Sequence, residues 1–348
     1  MTEDARTRHL PLTVQTAYSD LLARLQEDAV LELGGTPVLR VRDNRKYWYS
    51  VQRLAGRAVE RYLGPDSPEV RERVERARQA NEESRERQSQ RARLARMCRA
   101  GGLPAADART GKVLLALSKA GVFRLRGVLV GTHAFRCYPA LLGFEIPEAR
   151  AVTEDIDIAA YRSVPVALDD RLDPSLAEAL NRIGPFVARP GLHREPTARG
   201  DSGSGAMVEL LTPNEGPDQD QPIELPALGA HAVPLRFLDY LIREPVQAAI
   251  LYRSGVLANV PDPARYAVHK LIVATRRTAS APAKARKDVE QSAALIRVLA
   301  EDRPDELEDA YAEARARGPA WREAVERGAR RLGADARAAL AEAVGEVM

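Results

Sequence analysis

Cysteine, net charge and long apolar runs are all scarce in this sequence, and each shortage excludes something. Two cysteines, Cys98 and Cys137, make no disulfide framework. That fits a reducing cytoplasm better than an oxidising compartment. No Cys or His stands at zinc-ligand spacing, which argues against a zinc site. The opening MTEDARTRHLPL is charged and lacks the apolar stretch of a secretory signal. No apolar run reaches the length that spans a bilayer, so no membrane association is expected. A formal net charge of +3 over 348 residues gives no global attraction for polyanions. Nucleic-acid binding would have to come from a local basic patch. There is no G-x-x-x-x-G-K run, which argues against P-loop phosphate chemistry. The GDSGSG stretch lacks the strand-to-helix context that would make Ser202 or Ser204 a nucleophile.

What is present is the balance of a globular protein, with 45% hydrophobic and 29% charged residues. The length suggests two domains, or three smaller pieces. LTVQTAYSDLLARLQEDAVLEL has apolar residues at helical spacing and stops at Gly34 and Gly35. TPVLRVRDNRKYWYSVQRL alternates about Asp43-Asn44, the pattern of a hairpin, and a further strand is predicted from Ala58 to Leu63. Residues Glu69 to Ala100 read as one long helix dense in Arg and Glu, with a basic second half carrying Arg91, Arg93, Arg96 and Arg99. The plainer reading is a solvated helix laced with ion pairs; the sharper one is a helix that tracks nucleic-acid phosphates.

Beyond Gly101-Gly102 the pattern turns to strands alternating with helices. Strands are predicted at GVLVG, DIDIAAY, FVARP, REPTA and MVELLT, and helices at KVLLALSKA, THAFRCYPALLGFE and PSLAEALNRIG. TARGDSGSGA reads as a Gly/Ser turn or loop. From Pro234 onward helices are expected to dominate, ending in two spanning Pro304 to Gly318 and Trp321 to Met348. The predicted class is α+β, in four parts. These are a helix-and-hairpin module over 1–66, an Arg/Glu-rich helical linker over 67–103, a mixed-sheet core over 104–232 and a helical region over 233–348.

The chemistry concentrates in two stretches, VLVGTHAF and TEDIDIA. The first is a strand ending at Gly131, where a missing side chain lets a phosphate approach the backbone. Thr132 then places a hydroxyl and an N–H at a helix start. In the second, Asp155 and Asp157 are two apart on a strand and share one face, while Ile156 and Ile158 turn to the core. Two adjacent carboxylates repel, and Mg²⁺ or Mn²⁺ held together with phosphate oxygens relieves that repulsion. A two-metal clamp needs a third acid. Glu209, alone on an apolar strand, is the best candidate, and it can also accept a proton from an attacking hydroxyl. Glu224 in QPIELPA is the reserve.

This set resembles the DNA polymerase β-like nucleotidyltransferase superfamily, whose motif is an apolar strand, a Gly-Ser turn and helix, an Asp-x-Asp strand and a later lone acid. Here Val130-Gly131-Thr132, Asp155-Ile156-Asp157 and Glu209 match it. More narrowly, RKYWYSVQRL, RYLGPDSPEV, GTHAF, TEDIDIA and VELLTP resemble a bacterial family of nucleotidyltransferase-like proteins. VPDPARYAVHKLIVATRR resembles the helical part of abortive-infection and toxin-type nucleotidyltransferases. That resemblance implies a phosphate contact for Lys270, with Arg276 and Arg277 as helpers, and a further Lys-Asp pair at Lys287-Asp288. Three departures stand: Thr132 where Ser is commonest, a longer gap between Gly131 and Asp155, and Glu at 209.

The resemblance implies transfer of a nucleoside monophosphate from a nucleoside triphosphate to an acceptor hydroxyl on an RNA end, a protein or a small molecule. The other class left open is a catalytically inactive interaction protein of the same fold, part of a toxin–antitoxin or defence pair. His133 and His269 are expected to be structural. Tyr47, Trp48 and Tyr49 are open to base stacking, but their alternation favours the two faces of a hairpin. The sequence gives no oligomeric state.

Overall fold

The computed structural model describes residues 7–30, 36–42, 45–54, 57–151, 153–162, 172, 175–184, 186–188, 199–202, 206–214, 216, 221–277 and 281–345. After a two-residue strand β1 (Arg8–His9), α1 (Leu12–Val30) forms where its apolar residues recur at helical spacing. Val14, Ala17, Tyr18, Leu21 and Leu25 are all buried along one face. The expected hairpin follows as β2 (Thr36–Arg42) and β3 (Arg45–Leu54), with Arg42 opposite Arg45, and β4 (Arg57–Pro65) completes a three-stranded sheet. Trp48 is buried against Val70 and Val74, and its indole N–H donates to Asp66 at 2.9 Å. It is therefore a core residue, and Tyr47 and Tyr49 beside it are half-buried.

The long helix is α2 (Pro68–Ala100), started by Ser67, whose hydroxyl accepts from the Val70 N–H, with Pro68 in its first turn. Its C-terminal half packs on α1. Ala95, Cys98 and Leu103 meet the buried face of α1 in a separate apolar cluster. Arg87 and Arg91 both reach Asp28 of α1. Arg91 therefore does not belong to an outward basic stripe as the sequence suggested.

The core begins with α3 (Ala108–Ala120), capped by Asp107 and ended by Gly121 at φ +94°. Then come β5 (Val128–Val130), α4 (Gly131–Phe135), α5 (Tyr138–Leu142), β6 (Phe144–Glu145), a short 3₁₀ turn over Pro147–Arg150, and β7 (Asp155–Ala159). The stretch from Thr132 to Glu145, expected as helix throughout, is two short helices and a strand. Gly143 in the left-handed region ends the second helix, and β6 pairs antiparallel with β1. After α6 (Leu176–Asn181) the chain forms β8 (Phe186–Ala188), β9 (Arg199–Ser202), β10 (Ala206–Pro213), β11 (Ile223–Leu225) and β12 (Ala230–Leu235). Part of the predicted Gly/Ser loop is thus strand β9, which pairs with β10 from Ala206 to Glu209. The REPTA strand lies outside the described residues.

The sheet order is β11-β12-β10-β7-β5, with β9 also on β10 and β8 on β9. β7 and β10 run parallel, and β5 runs antiparallel to β7. The class is α+β with a mixed sheet. One apolar core joins this sheet to the helices that follow, from Val113 of α3 to Leu340 near the end of the described chain.

Past Pro234 the structure departs from the expected run of helices. A single turn α7 (Leu238–Leu241) leads into the hairpin β13 (Val246–Ile250) and β14 (Val256–Val260). The signal was present as two apolar runs about Ser254-Gly255, with Gly255 at φ +89°. α8 (Pro263–Arg276), α9 (Pro282–Asp302), α10 (Pro304–Ala316), α11 (Pro319–Ala329) and α12 (Ala334–Val344) follow. The predicted last helix is two, divided before Gly333.

Gly328 of α11 crosses α8 so closely that a Cβ there would lie 2.4 Å from the Leu271 carbonyl oxygen. Gly328→Val should therefore force α11 off α8 and cost about 2–3 kcal/mol. Denaturant unfolding should show a lowered midpoint at unchanged slope. A midpoint equal to wild type would show that this approach does not constrain the fold.

Candidate active site

β7 buries Ile156 and Ile158 and leaves Asp155 and Asp157 half-exposed on its other face. β10 repeats the alternation, with Val208 and Leu210 buried and Glu209 between them half-exposed. Glu209 stands in register with Asp157 and Met207 with Asp155. Facing residues of paired strands share a face, so the three acids lie on one side of two neighbouring strands. Glu224, the reserve, is exposed on β11 two strands beyond β10 and does not stand beside Asp155 or Asp157.

On the other edge of β7, Val130 pairs with Asp157, so Gly131 emerges beside that carboxylate. Gly131 has φ +67°, and a Cβ there would lie 2.6 Å from Asp157 Oδ2. Both backbone conformation and space thus favour glycine. Thr132 is half-exposed at the first turn of α4. His133 is buried, and its Nε2 has no hydrogen-bond partner among the described residues. Burial, and then the Arg136 charge, hold its pKa at about 4, so the imidazole is neutral.

Helices α8 and α9 close this end of the sheet. Tyr266, fully buried on α8, donates its hydroxyl proton to the Gly131 carbonyl at 2.9 Å. The Gln291 side-chain amide lies 3.0 Å from the same hydroxyl and has an otherwise unpartnered Nε2. With its Nε2 toward the phenol oxygen it completes the chain Gln291–Tyr266–Gly131. Lys270 Nζ lies 2.5 Å from Asp288 Oδ1, and Arg277 Nε lies 2.9 Å from Asp288 Oδ2. Burial alone would raise the Asp288 pKa, but the charges and hydrogen bonds of Lys270 and Arg277 keep it below the ordinary value. Two cations on one carboxylate leave an excess positive charge. Lys287, half-buried, has its pKa lowered by burial and then by Lys270, and it interacts electrostatically with Asp155.

Arg136 braces the segment that enters β7. Its guanidinium donates to the carbonyls of Ala151 at 2.8 Å, Arg150 at 3.3 Å and Ala105 at 2.6 Å. Tyr266, Gln291 and Arg136 were not singled out from sequence. They act through backbone carbonyls or buried amides, and no motif marks such partners. Arg276, named as a helper, is exposed and lies over the Phe237 ring, 5.1 Å from its centroid.

Among the described residues no three Asp, Glu, His or Cys side chains form a ready-made metal cage. The donor set suits a cation held by one or two carboxylates with substrate phosphates supplying other ligands, the usual manner for Mg²⁺. At Gly131 the main chain runs against the Asp157 carboxylate with no side chain between them.

His269, next to Lys270, is buried, and burial followed by the Lys270 charge puts its pKa at about 3. An unfolded imidazole binds a proton near 6.5, so the unfolded chain takes up protons first as pH falls. Stability should decline below pH 6.5, by up to about 1.4 kcal/mol per pH unit from this group. Urea midpoints at pH 7.5, 6.5 and 5.5 should fall more for wild type than for His269→Gln. Equal declines would show that His269 does not contribute.

A family model described as nucleotidyltransferase matches residues 108–316, well over half of the chain. A second model, described as a domain of unknown function, matches residues 13–72. No curated protein and no solved structure matches the chain.

Proposed function

The chain belongs to this nucleotidyltransferase family, and on that premise we propose that it transfers a nucleoside monophosphate from a nucleoside triphosphate to an acceptor hydroxyl, releasing pyrophosphate. The observation that carries this reading is the register of Glu209 with Asp157, which sets three acids on one face beside the open backbone at Gly131. The finer resemblance to the DNA polymerase β-like superfamily and its bacterial nucleotidyltransferase-like members belongs to the same proposal.

Asp155, Asp157 and Glu209 would hold Mg²⁺ or Mn²⁺, which when bound neutralises charge on the triphosphate oxygens. Gly131 admits the phosphates close to the main chain, and Thr132 offers them a hydroxyl and an N–H. Lys270 and Arg277 supply the positive charge left over from Asp288, and Lys287 adds to it from the Asp155 side. Glu209 accepts the proton of the attacking hydroxyl. Catalysis would rest on positioning and charge neutralisation, as in phosphoryl transfer generally. The basic half of α2 favours an RNA end as acceptor over a protein or small molecule. No helix among the described residues is long and apolar enough to cross a membrane, and the two buried free thiols suit a cytoplasmic setting.

Purified protein incubated with each labelled nucleoside triphosphate, Mg²⁺ or Mn²⁺, and total cellular RNA and protein should transfer label. Asp155→Ala with Asp157→Ala should reduce transfer at least a hundredfold. Label moved equally by wild type and variant would sink the assignment. Absence of both transfer and metal-dependent nucleotide binding would favour the inactive interaction protein instead. Gly131→Ala should keep the fold, since the clash meets a side-chain carboxylate, yet weaken metal-dependent triphosphate binding about tenfold. Isothermal titration with a non-hydrolysable triphosphate measures this, and unchanged affinity would remove Gly131 from the phosphate site.

A further inference from the structure

Away from the carboxylate face, α2 and the turn between β13 and β14 form an open groove of roughly 380 Å³. Arg85, Arg96 and Arg99 of α2 and Arg253 of the turn line it, together with Gln88, Ser89, Ala92 and Ser254. No acidic residue contributes to the lining. The spacing 85, 89, 92, 96, 99 is one stripe of a helix. From Arg85 to Arg99 that stripe extends about 21 Å at the α-helical rise. The sequence has no acid between Glu86 and Asp107, and the inward arginines, Arg87 and Arg91, already neutralise Asp28. Among the described residues, the four arginines of the groove take part in no ion pair.

Arg253 adds a second observation. It holds φ +51°, a left-handed conformation costly for any residue but glycine. Its guanidinium lies over the Tyr252 ring, 5.3 Å from the centroid. Arg253 thus adds a cation from outside α2 to the groove lining.

We propose that this groove binds the phosphodiester backbone of a base-paired nucleic acid. Its length, with Arg85 at one end of the stripe and Arg96 and Arg99 at the other, suits a linear polyanion rather than a single phosphate. It has no aromatic side chain on which unpaired bases would stack, so recognition is of backbone and shape. The backbone of the turn is tied to the segment that enters β7. Leu251, just before the turn, bridges to Ala105, whose carbonyl Arg136 holds together with Arg150 and Ala151 ahead of β7. Binding in the groove stands apart from the transfer reaction; that the bound nucleic acid is also the acceptor rests on the function proposed above.

The test is fluorescence anisotropy of the full chain with a labelled RNA hairpin and the DNA hairpin of the same sequence, across a salt series. Engagement of four phosphates predicts a log–log salt slope of about −3 to −4. Arg96→Gln/Arg99→Gln/Arg253→Gln should weaken hairpin binding at least tenfold and bring the slope to about −1. Arg93→Gln, exposed on the same helix outside the groove, should stay within twofold of wild type, and Arg96→Lys/Arg99→Lys should keep most of the affinity. The two hairpins tell which nucleic acid is preferred. Asp155→Asn/Asp157→Asn should bind hairpins like wild type. If it does while wild type transfers no label, the catalytic reading fails and the groove stands. No hairpin binding by wild type, unchanged binding by the triple variant, or the same three arginines serving anionic vesicles or polyglutamate instead would overturn the proposal.

Discussion

Glu209 lies opposite Asp157 because β10 runs parallel to β7, and parallel strands cannot be joined by a tight turn. The chain between them must cross over, and on the way it forms α6, β8 and β9. β9 then pairs with the first half of β10 on the side away from β7, and β12 takes the second half of that side. β10 is thereby flanked along its whole length, and its register with β7 is held from both sides. Since the side-chain period of a strand is two, a slip of one residue would turn Glu209 to the core and Val208 to the acids. Ile156, Ile158, Val208 and Leu210, all buried, oppose that slip through the apolar area it would expose.

The same end of the sheet is closed by helices whose polar contacts are spent on the backbone of the site. Tyr266 donates to the Gly131 carbonyl with Gln291 behind it, so the left-handed residue beside Asp157 is held by a buried hydrogen-bond chain. Lys270 and Arg277 share Asp288. A buried carboxylate needs such partners, since unpaired burial of charge costs several kcal/mol. The arrangement orders two long cations at low entropic cost and still leaves net positive charge. Structural and proposed functional roles coincide in these residues, because a cation fixed by a buried acid is also a preorganised cation.

The hairpin β13–β14 decides how the N-terminal elements join the rest. Ala249 and Leu251 pack in the cluster made by α1 and α2, and the Ala249 N–H donates to the Tyr18 hydroxyl. Facing the other way, Ser118 donates to the Leu257 carbonyl, and Asn259 donates to Phe123 and Gly127 carbonyls. One hairpin thus serves two apolar clusters. Docking α2 in this way sorts its arginines. Those facing α1 are neutralised by Asp28, and those on the stripe beside Arg253 stay open to solvent.

Local pattern determined much of this. Helical spacing and caps marked α1, α2, α3, α8 and α9, alternation marked the first hairpin, and the short apolar strand before Gly131 and the Asp-x-Asp strand were legible because each is a period repeated within a few residues. It did not mark β9, whose residues read as loop until β10 supplies the other half of each hydrogen bond, and the apolar runs about Ser254-Gly255 that form the β13–β14 hairpin fell where helices were expected to dominate. Nor did it distinguish Arg91 from Arg96, which have the same local surroundings and differ only in what the fold sets against them. That Asp155 and Asp157 share a face followed from the sequence alone, because a strand alternates. That Glu209 rather than Glu224 stands beside them was decided by tertiary structure, because strand order and register are set by the whole core and not by either strand.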